Sequence, residues 1–198
     1  MKAIEYYFSV LSPFTHLAGD QLEQIASRHG AAVNYKPIDI MGLFGRTGGV
    51  APKDRHESRK AYRLQDLARI GKLAKIDINL TPAFWPADPV PASCAIVNAV
   101  REGSGDVGAL ARNVLRACWA QDRNIADPDV VAECLAAAGF PAELAVADDM
   151  ALTQFSKNTD EAVRQNVFGS PTYVVGDQVF WGQDRLGHLD ALLSGRLG

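Results

Sequence analysis

Near its N-terminus the chain joins a strand to a helix with almost no slack. Ile4-Glu5-Tyr6-Tyr7-Phe8 is a strand-like run rich in aromatics, and Ser9-Val10-Leu11-Ser12-Pro13-Phe14 follows at once. Apolar residues then recur at Phe14, Leu17, Ala18, Leu22, Ile25 and Ala26, which is helical spacing. Ser12 therefore falls at the N-cap and Pro13 at the first helical position, where a missing N–H costs nothing. A hydroxyl held at a helix N-terminus just past a strand suits an anion, and a thiolate in particular. Ser-Pro at a helix start is also an ordinary cap, so the pair acquires functional meaning only beside a second signal.

That signal lies near the other end. Val167-Phe168-Gly169-Ser170-Pro171-Thr172-Tyr173-Val174-Val175 is followed by Gly176-Asp177 and then Gln178-Val179-Phe180-Trp181-Gly182-Gln183-Asp184-Arg185-Leu186. A proline opens a strand, Gly176-Asp177 makes a two-residue hairpin turn, a second strand follows and a helix closes the chain. Leu11-Ser12-Pro13-Phe14 with Leu17-Ala18, Phe168-Gly169-x-Pro171-Thr172, and Phe180-Trp181-Gly182-x-Asp184-Arg185-Leu186 together resemble the 2-hydroxychromene-2-carboxylate isomerases. That family is related to the kappa-class glutathione transferases and to the disulfide oxidoreductase DsbA. The resemblance implies an α/β, thioredoxin-like fold with a helical insertion. Residues 1–40 and 156–198 are expected to form the thioredoxin-like domain and 41–155 the inserted helical subdomain.

Composition agrees with one soluble globular domain. The 198 residues are 47% hydrophobic and 22% charged, and a net charge of -3 gives no pull toward nucleic acid or an acidic membrane. The first strand carries Lys2 and Glu5 and is too short for a signal segment or a membrane span, so a cytoplasmic protein is expected. Cys94, Cys118 and Cys134 form no Cys-x-x-Cys and are flanked by apolar residues, the pattern of buried free thiols. At the helix start, where a DsbA-type redox pair would stand, the chain reads Ser12-Pro13-Phe14-Thr15. Disulfide exchange needs a thiolate, and none is supplied there.

Several segments carry simpler expectations. One helix is expected from Pro13 to His29, closed by Gly30, with a second strand at Ala32–Ile38. Residues 42–55 are rich in glycine and basic residues without the Gly-Lys-Ser/Thr of a P-loop, which reads as a mobile connection. Helical patterns follow around Leu64–Leu73, Ala95–Glu102, Ala109–Gln121 and Pro128–Ala138, with a proline-rich stretch at 80–91 between the first two. Asn158-Thr159-Asp160-Glu161 reads as the capped start of a helix that leads into the C-terminal strands, and Asn166 as its left-handed end.

The resemblance also implies site roles. Ser12 would hydrogen-bond the sulfur of glutathione and so favour its thiolate. Ser170-Pro171 resembles the cis-proline turn of the superfamily, with the Ser170 backbone exposed to pair with the glutathione peptide. Gln183 and Asp184 resemble the pair that binds the γ-glutamyl end, although Asp184 is equally suited to cap the Arg185–Leu193 helix. Trp181 borders that site or is simply a buried sheet aromatic. For a small aromatic substrate the candidates are Lys36, Arg46, Gly48, Gly49 and Trp85, with Phe84 beside it. No metal site is expected, and a homodimer is implied by the family. The chain departs from the family pattern at Ser9, where Asp is common, and at Gly49, where Asn is common. The implied activity is glutathione-dependent interconversion of 2-hydroxychromene-2-carboxylate and trans-o-hydroxybenzylidenepyruvate. A kappa-like transferase and a non-enzymatic thiol- or peptide-binding module are the rival readings.

Overall fold

The computed structural model describes residues 2–197. From β1 (Ala3–Phe8) the chain passes through α1 (Pro13–Leu17) and α2 (Gln21–His29) to β2 (Ala32–Pro37), which runs parallel to β1. A helical block follows: α3 (Ile40–Thr47), α4 (Glu57–Ala74), α5 (Val90–Glu102), α6 (Val107–Trp119), α7 (Pro128–Ala136) and α8 (Asp149–Arg164). The hairpin β3 (Thr172–Val175) and β4 (Gln178–Trp181) and the helix α9 (Leu186–Leu193) complete the chain. The strand order is β2-β1-β3-β4, with β3 antiparallel to both β1 and β4. Both ends of the chain thus build one sheet, and the register Tyr6↔Tyr173 sets its centre.

Alternation along β1 sends successive side chains to opposite faces. Ile4, Tyr6 and Phe8 enter the larger core with residues of α2, α5, α6, α7 and α9. The Tyr6 ring stacks on Phe8 at 4.6 Å and on Tyr173 at 5.2 Å. Tyr7 faces the other way, into a smaller core with Ile38, Leu43, Ala162, Val167 and Val174. Cys94, Cys118 and Cys134 are buried and unpaired, as their apolar flanks predict.

Four expectations are corrected. The Pro13–His29 helix is broken into α1 and α2 at Gly19, which adopts φ +60° while the Ile76 side chain lies against its α-carbon. Residues 42–55 are largely ordered: Asp39 caps α3 through Met41 N–H, and Gly48 ends it at φ +77°. Leu43 is fully buried, and burying a leucine is worth about 1.5–3 kcal/mol, enough to offset two interior glycines. A short 3₁₀ turn then covers Pro52–Asp54.

The helix expected from Asn158 starts instead at Asp149, capped by the Asp148 side chain. Asn158 and Thr159 lie buried in its middle, where Asn158 donates to the Pro37 carbonyl and Thr159 Oγ1 accepts from Asp39 N–H. The expected boundary at 155/156 therefore falls inside α8, which packs on α5 of the helical block as well as on β2 and α3. Finally, Asp184 does not cap α9; it sits in a 3₁₀ turn, Gln183–Arg185, and α9 begins at Leu186 without a side-chain cap. Asn166 does take the left-handed conformation, at φ 59°.

Candidate active site

The β1–α1 junction and the β3 entry meet at a cluster of hydroxyls. Ser12 caps α1 by accepting from Thr15 N–H at 3.2 Å, and its own hydroxyl donates to the Ser170 carbonyl at 3.1 Å. The Ser170 hydroxyl accepts from Ser9 N–H at 2.8 Å and shares a hydrogen with Thr15 Oγ1 at 2.9 Å. Ser9 Oγ in turn accepts from Leu11 N–H. Ser9, noted only as a departure from the family pattern, thus braces the turn that presents Ser12. Thr15 was not singled out at all; its place one turn after the Ser12 cap was the available signal.

The Ser170-Pro171 peptide is cis. The Ser170 N–H finds no acceptor among the described residues. The Pro171 carbonyl accepts from Gly182 N–H at 2.9 Å, which fixes the end of β4 beside the proline turn. Trp181 is 51% exposed rather than buried, and Phe168 meets it edge-on with 4.8 Å between ring centroids. Gly169 lies so close to the Trp181 indole that a β-carbon there would collide with it. Gln183 and Asp184 follow immediately, on a turn packed against α1. The exposed Asp184 carboxylate pairs only with its neighbour Arg185, at 2.8 Å.

Trp85 reaches the Ser12 turn one residue earlier, where its Nε1 donates to the Leu11 carbonyl at 3.1 Å. Its ring packs on the buried Trp119 at 5.7 Å, and the Arg63 guanidinium lies over it at 5.5 Å. His16, one turn beyond Ser12, is committed elsewhere through Nε2 and the Asp77 carbonyl. Burial lowers its pKa below the ordinary histidine value and outweighs the backbone contact, so it is neutral near pH 7.

The remaining substrate candidates do not join this constellation as free groups. Lys36 Nζ contacts Glu5 at 2.7 Å and Glu161 at 2.6 Å. Burial opposes its charge, but the hydrogen bonds to Glu161 and Glu5 prevail and hold its pKa above the ordinary lysine value. Arg46 pairs with Asp160 at 2.6 Å. Gly48 is the left-handed end of α3, and Gly49 presses on the Phe44 ring. A cleft of about 1190 Å³ between β2, α5 and α8 is lined by Lys36 but by none of Ser12, Ser170, Trp85 or Trp181.

A family model of the DSBA-like thioredoxin domain matches residues 3–194. The curated 2-hydroxychromene-2-carboxylate isomerase of Pseudomonas putida is 30% identical over 200 residues, covering 98% of this chain and 95% of that protein. This chain belongs to the 2-hydroxychromene-2-carboxylate isomerase family. The isomerase of Sphingobium xenophagum is 28% identical over 196 residues, 97% of this chain and 98% of that one. A solved 2-hydroxychromene-2-carboxylate isomerase superposes with a TM-score of 0.77 at 28% identity, covering 98% of this chain and 95% of the other. In this chain the DsbA-like thioredoxin fold carries hydroxyls, not thiols, at the start of α1. Among the described residues no helix is long and apolar enough to cross a membrane, and no cluster of metal-ligating side chains occurs.

Proposed function

We propose that this protein interconverts 2-hydroxychromene-2-carboxylate and trans-o-hydroxybenzylidenepyruvate with glutathione as cofactor. The observation that carries this reading is the Ser12–Ser170 pair. A hydroxyl is held where a redox thiol would stand, next to a cis-proline turn with an unpaired N–H. When bound, glutathione would supply a thiolate: once the hemiketal ring opens, its C–O bond breaking and the hydroxyl proton passing to the phenol oxygen, that thiolate would add reversibly to the enone, permit rotation about the resulting single bond and be expelled again, so no net oxidation occurs.

The chain's own residues fit that cofactor. Ser12 turns its hydroxyl from the Ser170 carbonyl to the sulfur while still accepting from Thr15 N–H. A hydrogen bond to the charged form favours thiolate over thiol. The Ser170 carbonyl released by that turn, together with its N–H, then faces an extended peptide with one acceptor and one donor. Asp184 is positioned for the γ-glutamyl ammonium, since an exposed pair with Arg185 is worth little and is easily exchanged. Trp181 gives the cofactor an apolar wall, and Trp85 gives the aromatic substrate one. Buried cysteines take no part.

The test is an absorbance assay of 2-hydroxychromene-2-carboxylate with and without glutathione in thiol-free buffer. Conversion that requires glutathione supports the proposal. Conversion at full rate without any thiol, or accumulation of a released conjugate in place of the trans ketone, overturns it.

A further inference from the structure

Three arginines follow one another at intervals of four residues, Arg55 just before α4 and Arg59 and Arg63 within its first two turns. Among the described residues no carboxylate lies within ion-pair distance of any of them. The cations at or near the candidate site are neutralised: Lys36 by Glu5 and Glu161, Arg46 by Asp160, Arg185 by Asp184. Arg59 is exposed, but Arg55 and Arg63 are half-buried. Each lies over an aromatic ring, Arg55 over Phe44 at 5.9 Å and Arg63 over Trp85 at 5.5 Å. Arg55 also donates Nε–H to the Val50 carbonyl, which holds its guanidinium in place.

We propose that Arg63 and Arg55, between the rings of Trp85 and Phe44, form the receptor for the carboxylate of an aromatic acid at this site. Trp85 is tied to Leu11, so the receptor borders the Ser12 turn. A ring stacked on Trp85 places an attached carboxylate beside a guanidinium already lying over that ring. Guanidiniums bind carboxylates in a planar, two-point geometry that an ammonium cannot match. Two half-buried like charges without a counterion are a standing cost. Burial first, and then Arg55, pushes the Arg63 guanidinium down from its ordinary pKa; burial and Arg59 do the same to Arg55. A bound carboxylate removes that cost. This assignment deepens the isomerase reading by replacing Lys36 and Arg46 as the substrate's anchoring cations, and it rests on that reading only for the identity of the acid.

The test needs no turnover. Calorimetric titration of the wild-type protein with trans-cinnamate and with its uncharged amide measures the worth of the carboxylate directly. Cinnamate should bind about tenfold or more tightly than cinnamamide. Arg63→Met should erase that preference, Arg55→Met should reduce it, and Arg63→Lys should restore part of it, with melting curves confirming a folded protein. Equal affinity for acid and amide in the wild type, or a preference that survives in Arg63→Met, overturns the assignment. A preference lost in Arg63→Met from a protein that nevertheless fails to isomerise the chromene would leave the carboxylate receptor standing and remove the isomerase reading.

Discussion

The Ser12 hydroxyl donates to the Ser170 carbonyl at 3.1 Å, joining two turns that are 158 positions apart in the chain. That hydrogen closes the β1–β3 junction in the free protein, and in the proposed cofactor complex it would turn to the sulfur once a peptide engages Ser170.

Ser12→Ala tests that double role. It removes a charge-assisted contact worth about 1.5–3 kcal/mol, so the thiolate-to-thiol ratio of bound glutathione at fixed pH, read from the thiolate absorbance, should fall roughly tenfold or more, and turnover should fall with it. The cap to Thr15 N–H goes as well, at a cost of about 1 kcal/mol in stability. A melting curve separates the two effects. An unchanged thiolate titration would show that the backbone at the start of α1, without the hydroxyl, activates the sulfur.

Asp184→Asn should weaken glutathione binding about tenfold or more while leaving the melting temperature within error. The stability forecast follows from the structure, because Asp184 caps nothing and its one partner, Arg185, is exposed. Calorimetry of the variant decides it; wild-type affinity would remove Asp184 from the cofactor site.

Lys36→Met should act on stability more than on catalysis. It strands Glu5 and Glu161 without their shared cation and should cost about 1–3 kcal/mol at neutral pH. The acid limb should change too. Burial alone would raise the Glu161 pKa, but the hydrogen bond and charge of Lys36 hold it below the ordinary glutamate value. A depressed folded pKa adds stability above the unfolded value, near 4.5, that is lost as pH falls through the folded one. Wild-type stability should therefore drop below that pH, and the Lys36→Met protein should show a flatter dependence in denaturant titrations from pH 3 to 7.

Replacing Cys94, Cys118 and Cys134 with alanine should leave glutathione-dependent activity intact wherever the fold survives. Burial pushes the Cys94 thiol up to about 11 and the Cys118 thiol up to about 12, and raises Cys134 as well. Alkylation of the native protein at pH 8 should accordingly be slow at all three and become fast only in denaturant, as mass spectrometry would record. Rapid labelling of native Cys94 or Cys118 would contradict their burial.

What the sequence determined by itself are the features whose partners are near in the chain. The Ser12-Pro13 helix start needs only Thr15, the Gly176-Asp177 turn needs only its flanking strands, and Asn166 needs only the end of α8. The absence of a thiol at the start of α1 is likewise plain from four consecutive residues. Tertiary structure decided the rest. Gly42 and Gly45 speak for a loop until Leu43 finds a core made by Tyr7, Ala162 and Val174, and Asn158-Thr159 reads as a cap until Pro37 and Asp39 claim its side chains. Lys36 and Arg46 look like free cations until carboxylates on α8, more than a hundred residues away, reach them. Nothing in the sequence marks Arg63; only folding places the Trp85 ring beneath it and, among the described residues, no carboxylate beside it. Local backbone preferences are carried by a residue and its near neighbours, whereas the state of a charge depends on what folding brings within a few ångströms of it.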